Sequence, residues 1–131
     1  MNTEEAYKLI AASILDVVDG SDWEIASSTT QILARSTRTY YRRVEKSGHV
    51  AENDRFPSFE IAGEASEAFI FLRDDLLHTT GERIWGMMFT LFPTGKFKIE
   101  YDYNKPEGYT ETDEMITGSE INASLSKLGK G

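Results

Sequence analysis

The sequence predicts an α+β fold: an antiparallel sheet of about four to five strands, with an N-terminal helix, a helix near 63–79 and a C-terminal helix packed on it. Three observations carry this expectation. Phe97, Ile99, Tyr101 and Tyr103 alternate with Lys96, Lys98, Glu100 and Asp102. That period of two belongs to a strand with one face on a core and the other in water. Two stretches, 3–18 and 63–79, instead repeat apolar residues every three or four positions, as amphipathic helices do. The order helix, strands, helix, hairpin, helix points to helices packed against an antiparallel sheet. At 131 residues the chain reads as one domain, 1–131.

The first helix opens at Thr3, whose hydroxyl can cap the first amides, while Glu4 and Glu5 suit the positive end of the helix dipole. Tyr7, Ile10, Ile14 and Val17 or Val18 form its apolar stripe, and Asp19-Gly20-Ser21-Asp22 ends it. Trp23 to about Lys46 is rich in strand formers: Ile25, Thr29, Thr30, Ile32, Thr37, Thr39, Tyr40 and Tyr41. One or two strands are expected there, with a turn at the serines and threonines of 27–30. Residues 47–54 read as a polar loop, and Phe56 to Ile61 as a short strand with Pro57 at its edge or start. In the second helix Ala65, Phe69, Leu72 and Leu76 share one face, with Ala68 beside them. Glu64, Glu67, Asp74 and Asp75 occupy much of the rest, and Thr80-Gly81 closes it. The hairpin arms are 84–92 and 96–103 around the turn chemistry of Pro93-Thr94-Gly95. A loop at 104–108 follows, then a weakly helical 112–128 with Ile121, Leu125 and Leu128 at suitable spacing.

Acidic residues number 22 against 14 basic ones, a formal net charge of −8. That balance repels nucleic-acid phosphates and suits a basic partner, though solubility alone also accounts for it. No cysteine is present, which removes disulfides, thiolate metal sites and a cysteine nucleophile together. The acidic start Met1-Asn2-Thr3-Glu4-Glu5 is unlike a signal peptide, and no apolar run approaches the roughly 20 residues of a membrane helix. A cytoplasmic protein with no membrane partner is expected.

Chemistry-bearing patterns are sparse. His49 and His78 fall in different elements, without a spacing that predicts a shared metal or proton relay. No Gly-x-Ser-x-Gly elbow and no phosphate-cradling glycine loop occurs. Catalytic residues, metal ligands and cofactors are therefore not expected. Arg35, Arg38, Arg42, Arg43 and Lys46, interleaved with Tyr40 and Tyr41, could in isolation touch phosphates or stack on bases. The net charge favours instead a strand whose arginines pair with neighbouring acids or discourage edge-to-edge association.

The segment from Glu100 to Glu120 has seven acids opposed only by Lys105. Its spacing is not that of a calcium loop. Glu100 and Asp102 could serve as a general acid and base, but both fall on the wet face, where a carboxylate keeps its ordinary proton affinity. A partner surface is the preferred reading. Asp102, Glu107, Glu111, Asp113 and Glu114 would supply charge, and Tyr109, Met115 and Ile116 the apolar anchors. A small carboxylate-based metal-dependent hydrolase and a non-toxin interaction module are the alternatives.

The hairpin resembles that of the YezG-like family of small bacterial immunity proteins. The resemblance rests on Trp85, the apolar strand Met87 to Leu91, the turn at Gly95 and the run Lys96-Phe97-Lys98-Ile99-Glu100-Tyr101-Asp102-Tyr103. The N-terminal helix, Trp23 opening the first strand region, and a helix just before the hairpin agree with it in order. The resemblance implies an α+β fold and the task of neutralising a cognate toxin domain, usually a nuclease. The chain departs from the family pattern in its arginine-rich first strand region and in the scarcity of aromatics in its C-terminal segment.

Overall fold

The computed structural model describes residues 1–107. They form α1 (Thr3–Val18), β1 (Trp23–Ile32), β2 (Thr37–Glu45), β3 (Val50–Glu52), α2 (Phe59–Thr80), β4 (Gly86–Leu91) and β5 (Phe97–Asp102). The five strands make one sheet in the order β3-β2-β1-β4-β5, antiparallel at every pairing. The two helices pack on each other and on one face of it, so the class is α+β. The helix expected over 112–128 lies outside the described residues.

Helix α1 is capped one residue earlier than the hydroxyl of Thr3 would have it. Asn2 Oδ1 accepts the Glu5 amide at 2.9 Å, and Asn2 Nδ2 donates to Glu5 Oε1 at 3.1 Å. This exchange satisfies an orphan donor of the first turn and leaves Thr3 inside it. Ala6, Ile10, Ile14, Val17 and Val18 are buried as the stripe requires. Ser13, also buried, returns its hydroxyl to the Ile10 carbonyl at 2.7 Å.

The turn expected at 27–30 does not exist. β1 runs straight through these residues, and the chain reverses at 33–36, where the Leu33 amide donates to the Ser36 carbonyl. The reason is position in the sheet. β1 pairs with β2 on one side and β4 on the other, so its ladder is complete, and that outweighs the local turn preference of serine and threonine. Ser28 and Thr30 point under the helices, both essentially inaccessible, and Thr30 shares a 2.9 Å hydroxyl contact with Thr39 of β2.

Two further local expectations change. Residues 50–52, read as loop, form the short edge strand β3, reached through Gly48 at φ +91°. Residues 56–61, read as a strand, instead lead into α2: Ser58 Oγ accepts the Ile61 amide, Glu60 sits in the first turn, and the helix starts at Phe59. A cap and an acid in the first turn outweigh the strand propensity of three aromatic or branched residues. α2 ends as foreseen, with Gly81 in the left-handed region (φ +76°) and its amide on the Leu77 carbonyl.

Ile10, Ile14, Ile32, Phe69, Leu72, Ile84, Met87 and Phe89 form the centre of the core. Register places Met87, Phe89 and Leu91 on the helix side, and Tyr101, Ile99 and Phe97 opposite them on β5. The alternation of β5 is thus correct in phase but shallow in depth. Ile99 and Tyr101 are half-buried, while Phe97 is 47% and Tyr103 51% exposed. Among the described residues β5 is an edge strand, covered in part by α1, whose Tyr7 ring lies 5.5 Å from that of Phe97. Phe97 stacks on fully buried Phe89 at 5.1 Å. At the other end of the core, the 8% exposed Arg73 donates from α2 to the Leu33 and Ala34 carbonyls, tying the helix to the β1–β2 turn.

Candidate protein-binding surfaces

Of the residues the sequence assigns to partner binding, Asp102 and Glu107 are described; Tyr109, Glu111, Asp113, Glu114, Met115 and Ile116 lie outside the described residues. Asp102 closes β5 on the face of the sheet away from the helices. Its carboxylate accepts the Asn104 amide at 2.9 Å and the Asn104 side chain at 3.1 Å, so it shapes the exit from the hairpin. Glu107 is exposed. Beside Asp102, a groove of about 410 Å³ runs past Thr29, Gln31, Tyr40, Trp85 and Gly86. The Trp85 ring has the Arg83 guanidinium 3.8 Å and the Lys105 ammonium 5.7 Å from its centre. This corner is therefore of mixed charge.

The open sheet face is mixed throughout. By register it carries Arg38, Arg42 and Lys98 together with Glu52, Glu100 and Asp102. Arg42 pairs with Glu52 at 3.3 Å and Lys98 with Glu100 at 2.8 Å. Arg43, of the same basic cluster, points to the helix side and is only 5% exposed. It meets Asp54 at 2.7 Å and Glu45 at 3.5 Å. The hydrogen bond from Arg43 holds the Asp54 carboxyl below its ordinary value, and the same bond raises the guanidinium's own proton affinity. Arg43 is thus a scaffold residue, while Arg35 and Arg38 are exposed.

The concentrated negative charge among the described residues lies on the helices. α1 carries Glu4, Glu5 and Asp16 against Lys8; α2 carries Glu60, Glu64, Glu67, Asp74 and Asp75 against Arg73. Seven of these eight carboxylate residues are exposed and Asp75 is intermediate; Lys8 pairs with Glu4 at 3.3 Å, and Arg73, besides its bonds to the β1–β2 turn, meets Asp74 at 2.9 Å. Glu60, Glu64 and Glu67 follow one another along a single helical stripe, and none pairs with a cation among the described residues. The signal was present in the sequence as i, i+4, i+7 spacing. It was missed because 56–61 read as a strand, which separated Glu60 from the other two.

The N-terminal turns of α2 also border a second groove, of about 330 Å³, between that helix, β2 and the 53–58 loop. Phe56 (65% exposed) and Phe59 (96% exposed) stand at its rim. Among the described residues no three histidine, aspartate or glutamate side chains gather closely enough to hold a metal ion. No described helix is long and apolar enough to cross a membrane. No protein-family model matches the chain, and no curated protein matches it significantly.

Proposed function

We propose that this chain is an immunity protein of the YezG-like kind, acting in the cytoplasm, where it binds a cognate basic toxin domain and blocks it; a nuclease is the simplest target. The observation that carries the reading is the exposed acidity of the helical layer: of its eight carboxylate residues Glu4 pairs with Lys8 and Asp74 with Arg73, and the other six form no ion pair among the described residues. A nuclease presents a basic cleft because its substrate is a polyanion. An acidic surface opposite such a cleft accelerates encounter and rejects wrong partners, while affinity comes from a few buried anchors. The acidic segment that includes Glu107, Glu111, Asp113 and Glu114 adds to the chain's net negative charge. The hairpin resemblance to immunity proteins supports the same conclusion.

The test is co-expression with the product of an adjacent toxin-type reading frame. Growth should be rescued, and the two proteins should co-purify. Association should slow as salt is raised, because exposed charges are screened within about 8–10 Å at 0.1–0.15 M. Reversing Glu60, Glu64 and Glu67 to lysine should slow association further with little change in folding. Absence of protection, or an association rate indifferent to both salt and charge reversal, refutes the proposal.

A further inference from the structure

We infer that the groove beside the first turns of α2 is the anchor pocket of this docking surface, taking one large apolar side chain of a partner protein flanked by lysine or arginine. The inference rests on the proposed basic partner and names where it is gripped. Phe59 and Phe56 are the two most exposed large hydrophobic residues described, and they stand together at one rim. Folding leaves their rings in water, where apolar area is unfavourable and available for burial by a partner. Between them the groove is floored by Thr37, Thr39 and Tyr41 of β2 and walled by Ala62, Gly63 and Ser66 of α2. The Thr37 and Ser66 hydroxyls meet at 2.8 Å, so these polar groups are mutually satisfied and the floor makes no unmet demand on a ligand.

Gly63 gives the independent observation. It lies inside a 22-residue helix, where glycine is among the weakest residues. A Cβ added to it would meet nothing within 4 Å. Neither internal packing nor a left-handed backbone therefore requires glycine there, and because Gly63 lines the groove, a larger side chain at this position would extend into its open volume. The glutamate stripe of residues 60, 64 and 67 runs along the outer side of the same turns. The apolar rim of Phe56, Pro57 and Phe59, a floor whose Thr37 hydroxyl is already satisfied, and the acidic bank together select an apolar tip between cations, the complement of a basic protein surface rather than of a free anion or a membrane of anionic lipid.

The probe is a synthetic peptide, acetyl-Lys-Lys-Leu-Phe-Lys-Lys-amide, titrated into the whole chain and followed by backbone amide shifts. Saturable shifts centred on Thr37, Thr39, Gly63 and Ser66 are expected. Gly63→Leu fills the groove and should weaken binding about tenfold or more, the equivalent of one buried side chain lost. Phe59→Ser alters a ring that holds nothing in the fold and should weaken binding comparably, which keeps the test decisive should the leucine variant fold poorly. Glu60→Gln, Glu64→Gln and Glu67→Gln together should flatten the salt dependence. Peptide binding that leaves these amides unmoved and ignores Gly63→Leu and Phe59→Ser overturns the anchor pocket while sparing the basic-partner reading. No salt-sensitive binding anywhere overturns both. Sedimentation as a dimer that Phe59→Ser dissolves would also overturn it, by making a second copy the occupant.

Discussion

Gly63→Ala should make this protein more stable. The position is the fifth residue of α2, exposed, with no atom within 4 Å of the methyl that alanine would add. Nothing therefore opposes the intrinsic preference of the helix interior, which favours alanine over glycine by about 0.8–1 kcal/mol, chiefly through entropy that the unfolded glycine chain retains. With an unfolding entropy near 2.1 cal/mol/K per residue, a domain of this size should melt about 3–4 °C higher. Urea titration followed by circular dichroism is the direct assay: the midpoint should rise at unchanged slope, because the surface exposed on unfolding is unchanged. A lower midpoint, or none gained, would show that glycine is needed by the fold itself. The demands of the fold, and not an open groove, would then account for glycine at this position.

Three other outcomes follow from particular contacts. Phe89→Ala removes a ring with no accessible surface and should cost about 3–5 kcal/mol, whereas Phe97→Ala, at 47% exposure, should cost about 1.5–2 kcal/mol by area; equal losses in urea titration would place Phe97 in the core after all. Gly86→Ala brings a Cβ to 2.8 Å from the Thr30 carbonyl oxygen on the central strand and should destabilise by about 1–3 kcal/mol, unlike the same change at residue 63; a neutral result refutes the close approach. The depressed Asp54 carboxyl bears on acid stability: its folded value lies below the ordinary 3.8, so its contribution is present above that value and lost as pH falls through the folded one. Asp54→Asn should therefore be less stable than the wild type at neutral pH, the gap closing in acid, and a gap independent of pH would deny the Arg43 pairing.

The two described helices and the hairpin were legible because their periodicity is long and clean. Ile10, Ile14, Phe69 and Leu72 sit where a repeat of three or four puts them, and all are buried. What failed depended on neighbours that local reading does not contain. Ser27 to Thr30 have turn-forming side chains, yet strands on both sides commit their backbone to a ladder. Phe97 has the phase of a core residue, but among the described residues the sheet ends at its strand, and the rings of Tyr7 and Phe89 leave it half-exposed. The acidic stripe of α2 was hidden by one misplaced boundary: with Phe59 as helix rather than strand, Glu60 joins Glu64 and Glu67.

The central place of β1 has a consequence for synthesis. This strand is made well before β4, so Ala26 waits for Leu91 and Gln31 for Gly86 before its second side is covered. Until the ribosome has released β4, a nascent α1–β3 unit presents a long bare edge, the kind of edge that recruits other chains. The stretch Ser27-Ser28-Thr29-Thr30-Gln31 lines that edge with small hydroxyls and an amide where aliphatic residues would bind the ladder more tightly. An edge of that composition offers another chain less apolar area to bury during the interval when the sheet is half built.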